Sequence, residues 1–205
     1  MKNYILNKSI NLIESVFPNY TQTELIKIRY GLEGIYITIT KTIVIFSIAI
    51  FLNIFQKLLI LVLIYNLLRA FSFGLHANNS SNCLIASTII FIGATYVCQF
   101  INTPLFIKII VAAISIITFI KYSPADTKKR PIINQKKRLK YKLFSTLIII
   151  IYTFILFLSK HNFLNNTILL SMIFQSFLIS PFCYSLFKQT YNNFLYWEGG
   201  IRCAK

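Results

Sequence analysis

The sequence predicts an all-α protein: a polytopic integral membrane bundle of about six transmembrane helices, preceded by an N-terminal amphipathic interfacial helix. Three observations carry this. Of the 205 residues, 56% are hydrophobic and only 13% charged, against roughly 25% charged in average globular chains. The apolar residues are Ile, Leu and Phe in long charge-free runs, the pattern of membrane-spanning helices. Finally, 21 Lys and Arg face five acids, and half of the resulting net charge of +16 falls in one interval between the runs.

Residues 1–33 read as interfacial. Ile5, Leu6, Ile10, Ile13, Val16 and Phe17 recur at helical spacing with Lys2, Asn7, Lys8, Asn11 and Glu14 elsewhere, which is an amphipathic helix lying on a membrane surface. The segment has neither an uninterrupted apolar stretch nor a small-residue cleavage site, so it does not read as a signal peptide. Pro18 ends it, and Thr21-Gln-Thr-Glu24 offers a capping box for a new helix.

The first span is expected from about Gly34 to Gln56, with Lys41 snorkelling near its start and Lys57 in a short turn. Leu58 to about Ala70 is the second span, and a polar break over residues 69–87 follows. The third takes in about Leu84 to Ile101, Asn102-Thr-Pro104 turns, and the fourth covers about Leu105 to Ile120. Residues 121–142 hold nine Lys and Arg against Asp126 alone, a composition that belongs to a cytoplasmic loop. The fifth span is Leu143 to Ser159 and the sixth about Phe163 to Phe187, with Pro181 as a kink or an end. Six spans put both termini, the basic loop and the polar break on the cytoplasmic side. The whole reads as one membrane-embedded domain, residues 1–205.

The basic balance has an ordinary explanation in topology and in contacts with anionic membrane lipids. No nucleic-acid motif accompanies it, so no nucleic-acid partner is expected. Cys83, Cys98, Cys183 and Cys203 form no CxxC, and two of them sit inside apolar runs, where cysteine behaves as a small hydrophobe. Neither a metal nor a cofactor is expected, since two ligands are too few for zinc and His161 belongs to the opposite face.

The break itself, Arg69 to Ser87, places His76 and Cys83 in a cluster of Asn and Ser. Such groups gain nothing from lipid, where an unsatisfied polar group costs several kcal/mol. A histidine can generate a thiolate nucleophile from a neighbouring cysteine. On a straight helix residues i and i+7 share a face but lie about 10 Å apart, beyond the reach of about 3 Å that a base needs. A working pair therefore requires the helix to break between them, and Asn78 to Asn82 is composed for that. Ser80, Ser81 or Asn82 would cap the next helix, putting its N-terminus and dipole at Cys83. The alternative is that the two are incidental loop residues. Arg69 either ends span two by snorkelling or pairs with a carboxylate.

Arg69…Gly74-x-His76-Ala77…Cys83…Ser87 resembles the active-site motif of the accessory gene regulator B (AgrB) family of membrane cysteine endopeptidases. Tyr30-Gly31-Leu32-Glu33 and the Ser123-to-Pro131 stretch are similar to that family too, and the likeness in length, span pattern and motif order covers the chain. Phe73-Gly74-Leu75-His76 departs from the Gly-Gly-x-His of many members. The resemblance implies a bacterial cell-membrane enzyme in which Cys83 attacks and His76 serves as base, then acid. The substrate would be a short AgrD-like precursor peptide, losing its C-terminal tail and cyclising to a thiolactone or lactone quorum-sensing signal. Arg69, Gly74, Ser87 and Asp126 would support the site. Lys128, Lys129 and Arg130, with Lys136, Lys137 and Arg138, would attract the precursor's acidic tail. A homo-oligomer is compatible with all of this. A non-enzymatic small transporter or peptide-export partner is the competing class, disfavoured by the near absence of acids in the spans.

Overall fold

The computed structural model describes residues 2–75, 80–127 and 131–195, and of residues 80–83 the backbone alone. Eight α-helices and a short 3-10 turn account for the regular structure among these residues, with no strand, and Phe73 and Ala125 form an isolated bridge. Five helices are long and apolar enough to cross a membrane, and Leu84–Phe100 is a shorter apolar helix beside them. The chain is thus an all-α polytopic membrane bundle. It divides into two compact units, Met1–Asn53 and Ile54–Lys205.

In the first unit, α1 (Lys2–Val16) stops where Pro18 cannot continue it. α2 (Gln22–Phe51) is one unbroken helix of 30 residues, so the interfacial stretch and the first span merge instead of meeting at Gly34. The Glu24 carboxylate starts it by accepting from the Thr21 amide at 2.9 Å and the Thr21 hydroxyl at 2.8 Å. Lys2 pairs with Glu33 at 2.6 Å and ties α1 to α2. Tyr4, Leu12, Val16 and Phe17 stay exposed, as an interfacial helix requires. Asn53, at φ 56°, ends α2 in the left-handed conformation that asparagine tolerates.

The second unit holds α3 (Phe55–Ser72), α4 (Ser80–Phe100), α5 (Leu105–Tyr122), α6 (Gln135–Leu158), α7 (Asn162–Ile179) and α8 (Pro181–Leu186). Lys57 lies in the first turn of α3, not in a turn between spans, and donates to the Gln99 side chain at 2.7 Å. α6 begins at Gln135, so the second half of the basic interval is helix. Asn134 accepts from the Lys137 amide and caps it. Ser180 and Pro181 end α7 and start α8, with the Ser180 hydroxyl accepting from the Cys183 amide.

α7 is the axis of this unit, packed by α3, α4, α5, α6 and α8. Ile168, Leu169, Met172 and Ile179 join Leu68, Phe119, Ile149, Leu156 and Tyr184 in the main core. Along the outer faces of α5 and α6, Ile109, Ile110, Ile114, Ile117, Leu147, Ile150 and Phe154 remain exposed. An apolar surface of that extent is stable against acyl chains rather than water.

Polar groups collect at the two ends of the unit. At one end Asn162 donates to Asn102, and Asn166 ties Thr103 to the carbonyls of Cys98 and Ile101. The C-termini of α3, α5 and α7 meet at the other end, where the polar break leads into α4.

Candidate functional site

The site is built on the segment that leaves α3. Ser72 closes the helix, and the Phe73 amide still donates to the Arg69 carbonyl at 3.0 Å. Phe73 then turns with φ 56° and Gly74 with φ 102°, throwing the chain off the helix axis. Gly74 is required by contact as well as by φ: a Cβ there would stand 3.0 Å from the Leu178 carbonyl oxygen and 3.3 Å from Ile179 Cγ2.

Nearly every backbone polar group of this short strut has a partner. The Ala125 amide donates to the Ser72 carbonyl at 3.0 Å, and the Gly74 amide to the Ala125 carbonyl at 2.9 Å. The Leu75 amide donates to Leu178 of α7 at 3.2 Å. Arg69 closes the loop: its Nη2 donates to the Leu75 carbonyl at 2.8 Å and its Nη1 to the Tyr65 hydroxyl at 3.0 Å. Arg69 therefore folds inward three residues before the end of α3 and does not snorkel. From α7, Gln175 donates to the Ser72 hydroxyl at 2.6 Å and the Phe73 carbonyl at 2.7 Å.

The strut delivers the chain to His76, which lies outside the described residues, as do Asn78, Asn79, Lys128, Lys129 and Arg130. Among the described residues α3 ends at Ser72, residues 73–75 have left the helix, and α4 is described from Ser80. The Cys83 backbone belongs to the first turn of α4, while its side chain is outside the described set. A helix N-terminus is where backbone amides can meet an anion. Half-buried Ser87 lies one turn further along α4.

Asp126 stands behind the strut. It is 2% exposed, and its carboxylate accepts from the amides of Asn193 at 3.0 Å and Phe194 at 2.8 Å, with Ile132 at 3.4 Å. Arg138 approaches it at 3.8 Å and stacks on the Phe194 ring, 3.6 Å from its centroid. The Tyr184 hydroxyl donates to the Asp126 carbonyl at 2.8 Å. Asp126 is thus consumed in holding the C-terminal segment to residues 123–132. Arg138 is likewise committed inward, leaving Lys136, Lys137 and Lys140 as exposed cations at the start of α6.

Cys98 and Cys183 are buried and reduced, and burial pushes the Cys183 thiol up, away from thiolate chemistry. Among the described residues no three His, Cys, Asp or Glu side chains converge as metal ligands. Sequence reasoning missed Gln175 and Tyr184. The signal for Gln175 was present: an amide in the apolar run Leu169-Leu-Ser-Met-Ile-Phe-Gln-Ser-Phe-Leu must find partners inside a membrane protein.

Comparison with known proteins agrees with this architecture. The sequence profile of the accessory gene regulator B family matches residues 3–179. The chain belongs to the AgrB family. An accessory gene regulator protein B of Staphylococcus epidermidis is 32% identical over 167 residues, covering 80% of this chain and 83% of that protein. An AgrB-like protein of Listeria innocua is 31% identical over 173 residues, 84% and 85% of the two chains. One from Clostridium acetobutylicum is 29% identical over 182 residues, 87% and 86%. No solved structure matches. AgrB membership ties the chain to accessory gene regulator quorum sensing, as a multi-pass membrane component.

Proposed function

We propose that this chain is a membrane cysteine endopeptidase that processes an AgrD-like precursor peptide, with Cys83 as nucleophile and His76 as general base. The observation that carries this reading is the hydrogen-bonded strut Ser72–Leu75, which leads directly to His76 in sequence and ends eight residues before Cys83, whose backbone lies in α4. A polar segment braced so heavily is built to hold something in place.

In the proposed reaction His76 takes the Cys83 proton and the thiolate attacks the scissile carbonyl carbon. The oxyanion of the tetrahedral intermediate is met by backbone amides at the N-terminal end of α4. Collapse breaks the C–N bond, and the imidazolium returns the proton to the leaving amine of the acidic tail. The thioester left on Cys83 is then attacked by a Cys or Ser side chain of the precursor. His76 takes the proton of that side chain, and the step expels the Cys83 thiolate, which regains the proton, and closes a thiolactone or lactone. The acyl group stays activated as a thioester between the two displacements, so ring closure needs no separate activation step.

Lys128, Lys129 and Arg130, with exposed Lys136 and Lys137, recruit the precursor's acidic tail by Coulomb attraction at the cytoplasmic face. The same charges hold the loop inside and attract anionic lipids.

The test is co-expression with a precursor carrying an amphipathic N-terminal segment, an internal Cys and an acidic tail. Wild type should release the tail, while Cys83→Ala and His76→Ala should not. Cleavage surviving in either variant would sink the dyad. Neutralising Lys128, Lys129 and Arg130 should weaken precursor binding most at low salt.

A further inference from the structure

We propose that Gln175 is a positioning residue for His76, acting through the Phe73 carbonyl. This rests on the reading of His76 as the base. Gln175 lies about one turn before the end of α7, fully buried, with both hydrogen bonds of its amide nitrogen spent on the end of α3. Phe73 is where the chain leaves the helix at positive φ, and a non-glycine residue holds that conformation only when its surroundings over-determine it.

The surroundings can be named. The Phe73 amide is fixed by Arg69, the flanking Ser72 carbonyl and Gly74 amide are fixed by Ala125, and the Phe73 carbonyl is fixed by Gln175. The Phe73 carbonyl and the Gly74 amide belong to one planar peptide unit, held by Ala125 at its amide edge and by Gln175 at its carbonyl edge. Gln175 anchors that carbonyl edge to the end of α3, because its nitrogen reaches the Ser72 hydroxyl at 2.6 Å and the Phe73 oxygen at 2.7 Å together. The Ser72 hydroxyl in turn donates to Leu68 at 2.7 Å, so its lone pairs face Gln175. Rotating the Phe73 peptide would swing Gly74 and Leu75 and carry His76 with them.

The polar cost argues for a purpose beyond packing. Among the described residues the buried Gln175 carbonyl oxygen has no hydrogen-bond partner, and an unsatisfied buried acceptor costs about 1–3 kcal/mol. Methionine or leucine would fill the same space in this core without that cost. What an apolar side chain lacks is the pair of donors.

Gln175→Met keeps the volume and removes the donors. The full chain is reconstituted in anionic-lipid vesicles with a precursor of amphipathic segment, internal Cys and acidic tail. The turnover rate at saturating precursor should fall about 10- to 100-fold, as expected for misplacement of a catalytic group. Half-saturation should move less than about threefold, because binding does not pass through Phe73. Hydrogen exchange at the Gly74 and Leu75 amides should rise while the cores of α5 and α6 stay protected. Ser72→Ala, which spares the bond to the Phe73 carbonyl, should lose less than about threefold.

Unchanged turnover in Gln175→Met overturns the assignment. So does a loss of turnover with unchanged exchange at Gly74 and Leu75, or an equal loss in Ser72→Ala, which would indicate packing of α3 on α7. If Gln175→Met unfolds, exchange rises in every helix, and the role is then stability alone. Failure of the dyad itself shows differently: Cys83→Ala or His76→Ala would cleave, whatever Gln175→Met does.

Discussion

The Arg69 guanidinium donates to the carbonyl of Leu75 at 2.8 Å, tying the residue before His76 back to the helix it has just left. The same group holds the Tyr65 hydroxyl at 3.0 Å, one turn earlier on α3. Two acceptors at fixed spacing suit a planar fork and not an ammonium on a flexible stem. Arg69→Lys, although it keeps the charge, should therefore lower precursor cleavage about 10- to 100-fold. Tail release measured in membranes from cells co-expressing the precursor checks this. Cleavage at the wild-type rate would mean that the Leu75 carbonyl does not need its donor.

Gly74 should be the least substitutable glycine among the described residues. Gly74→Ala would force a Cβ to within 3.0 Å of the Leu178 oxygen at a φ of 102°, where non-glycine residues carry about 1–3 kcal/mol of strain. The displaced Leu178 carbonyl is also the acceptor for Leu75, so stability and cleavage should fall together. Gly93→Ala is the control, since nothing lies within 4 Å of its Cβ position. Alanine also favours the helix there. The thermal midpoint in detergent should drop for Gly74→Ala and hold or rise for Gly93→Ala.

These two positions show what the sequence carries and where it stops. Apolar runs place the helices well because lipid admits only internally satisfied backbone. The ends at Ser72, Phe100 and Tyr122 fall close to where turn residues and charges put them, while the last span stops at Ile179, before Pro181, and does not run on to Phe187. Boundaries drifted where amphipathic helix joins spanning helix. Lys27, Arg29 and Glu33 suggested an interface, yet α2 runs through them because a helix continues whether or not its surroundings change. The basic interval drifted for the same reason, with Lys136 to Lys142 already inside α6. Within the site, His76 and Cys83 stand out by chemistry alone. Their supports do not, because the partners of Phe73, Gly74 and Leu75 come from positions 125, 175 and 178, and no local pattern pairs residues about 50 to 100 apart.

Asp126 is the clearest product of that long-range pairing, and Asp126→Ala should release the C-terminal segment. The substitution leaves the Asn193 and Phe194 amides without an acceptor and Arg138 without its anion. Breaking a buried ion pair from one side costs about 3–5 kcal/mol. Arg138 is partly exposed, which brings the expectation to about 2–3 kcal/mol with solvent screening. Protease cleavage after Gln189 should accelerate while the α3–α7 helices stay resistant. Cleavage of the precursor should also fall, because Ala125 in the same turn holds Ser72 and Gly74.

The same corner should give way in alkali. Burial pushes the Tyr191 hydroxyl up to about 12, opposed by Arg138 and aided by Tyr122 and Asp126. Tyr184, whose hydroxyl donates to the Asp126 carbonyl, is pushed up as well, first by burial and then by the Asp126 charge. An unfolded tyrosine titrates near 10. A group with a raised folded pKa contributes stability that is fully present below its unfolded value and is lost as pH rises through the folded one. The segment carrying Tyr184 and Tyr191 should therefore stay docked to about pH 10, weaken above it, and detach by about pH 12. Tyrosinate absorbance should show these two rings ionising later than a free tyrosine side chain. Replacing Tyr191 with phenylalanine should remove part of the late phase and raise the pH at which protease first reaches the segment. An early, single-phase titration would show that the neutral ring hydroxyls are not what holds this corner together.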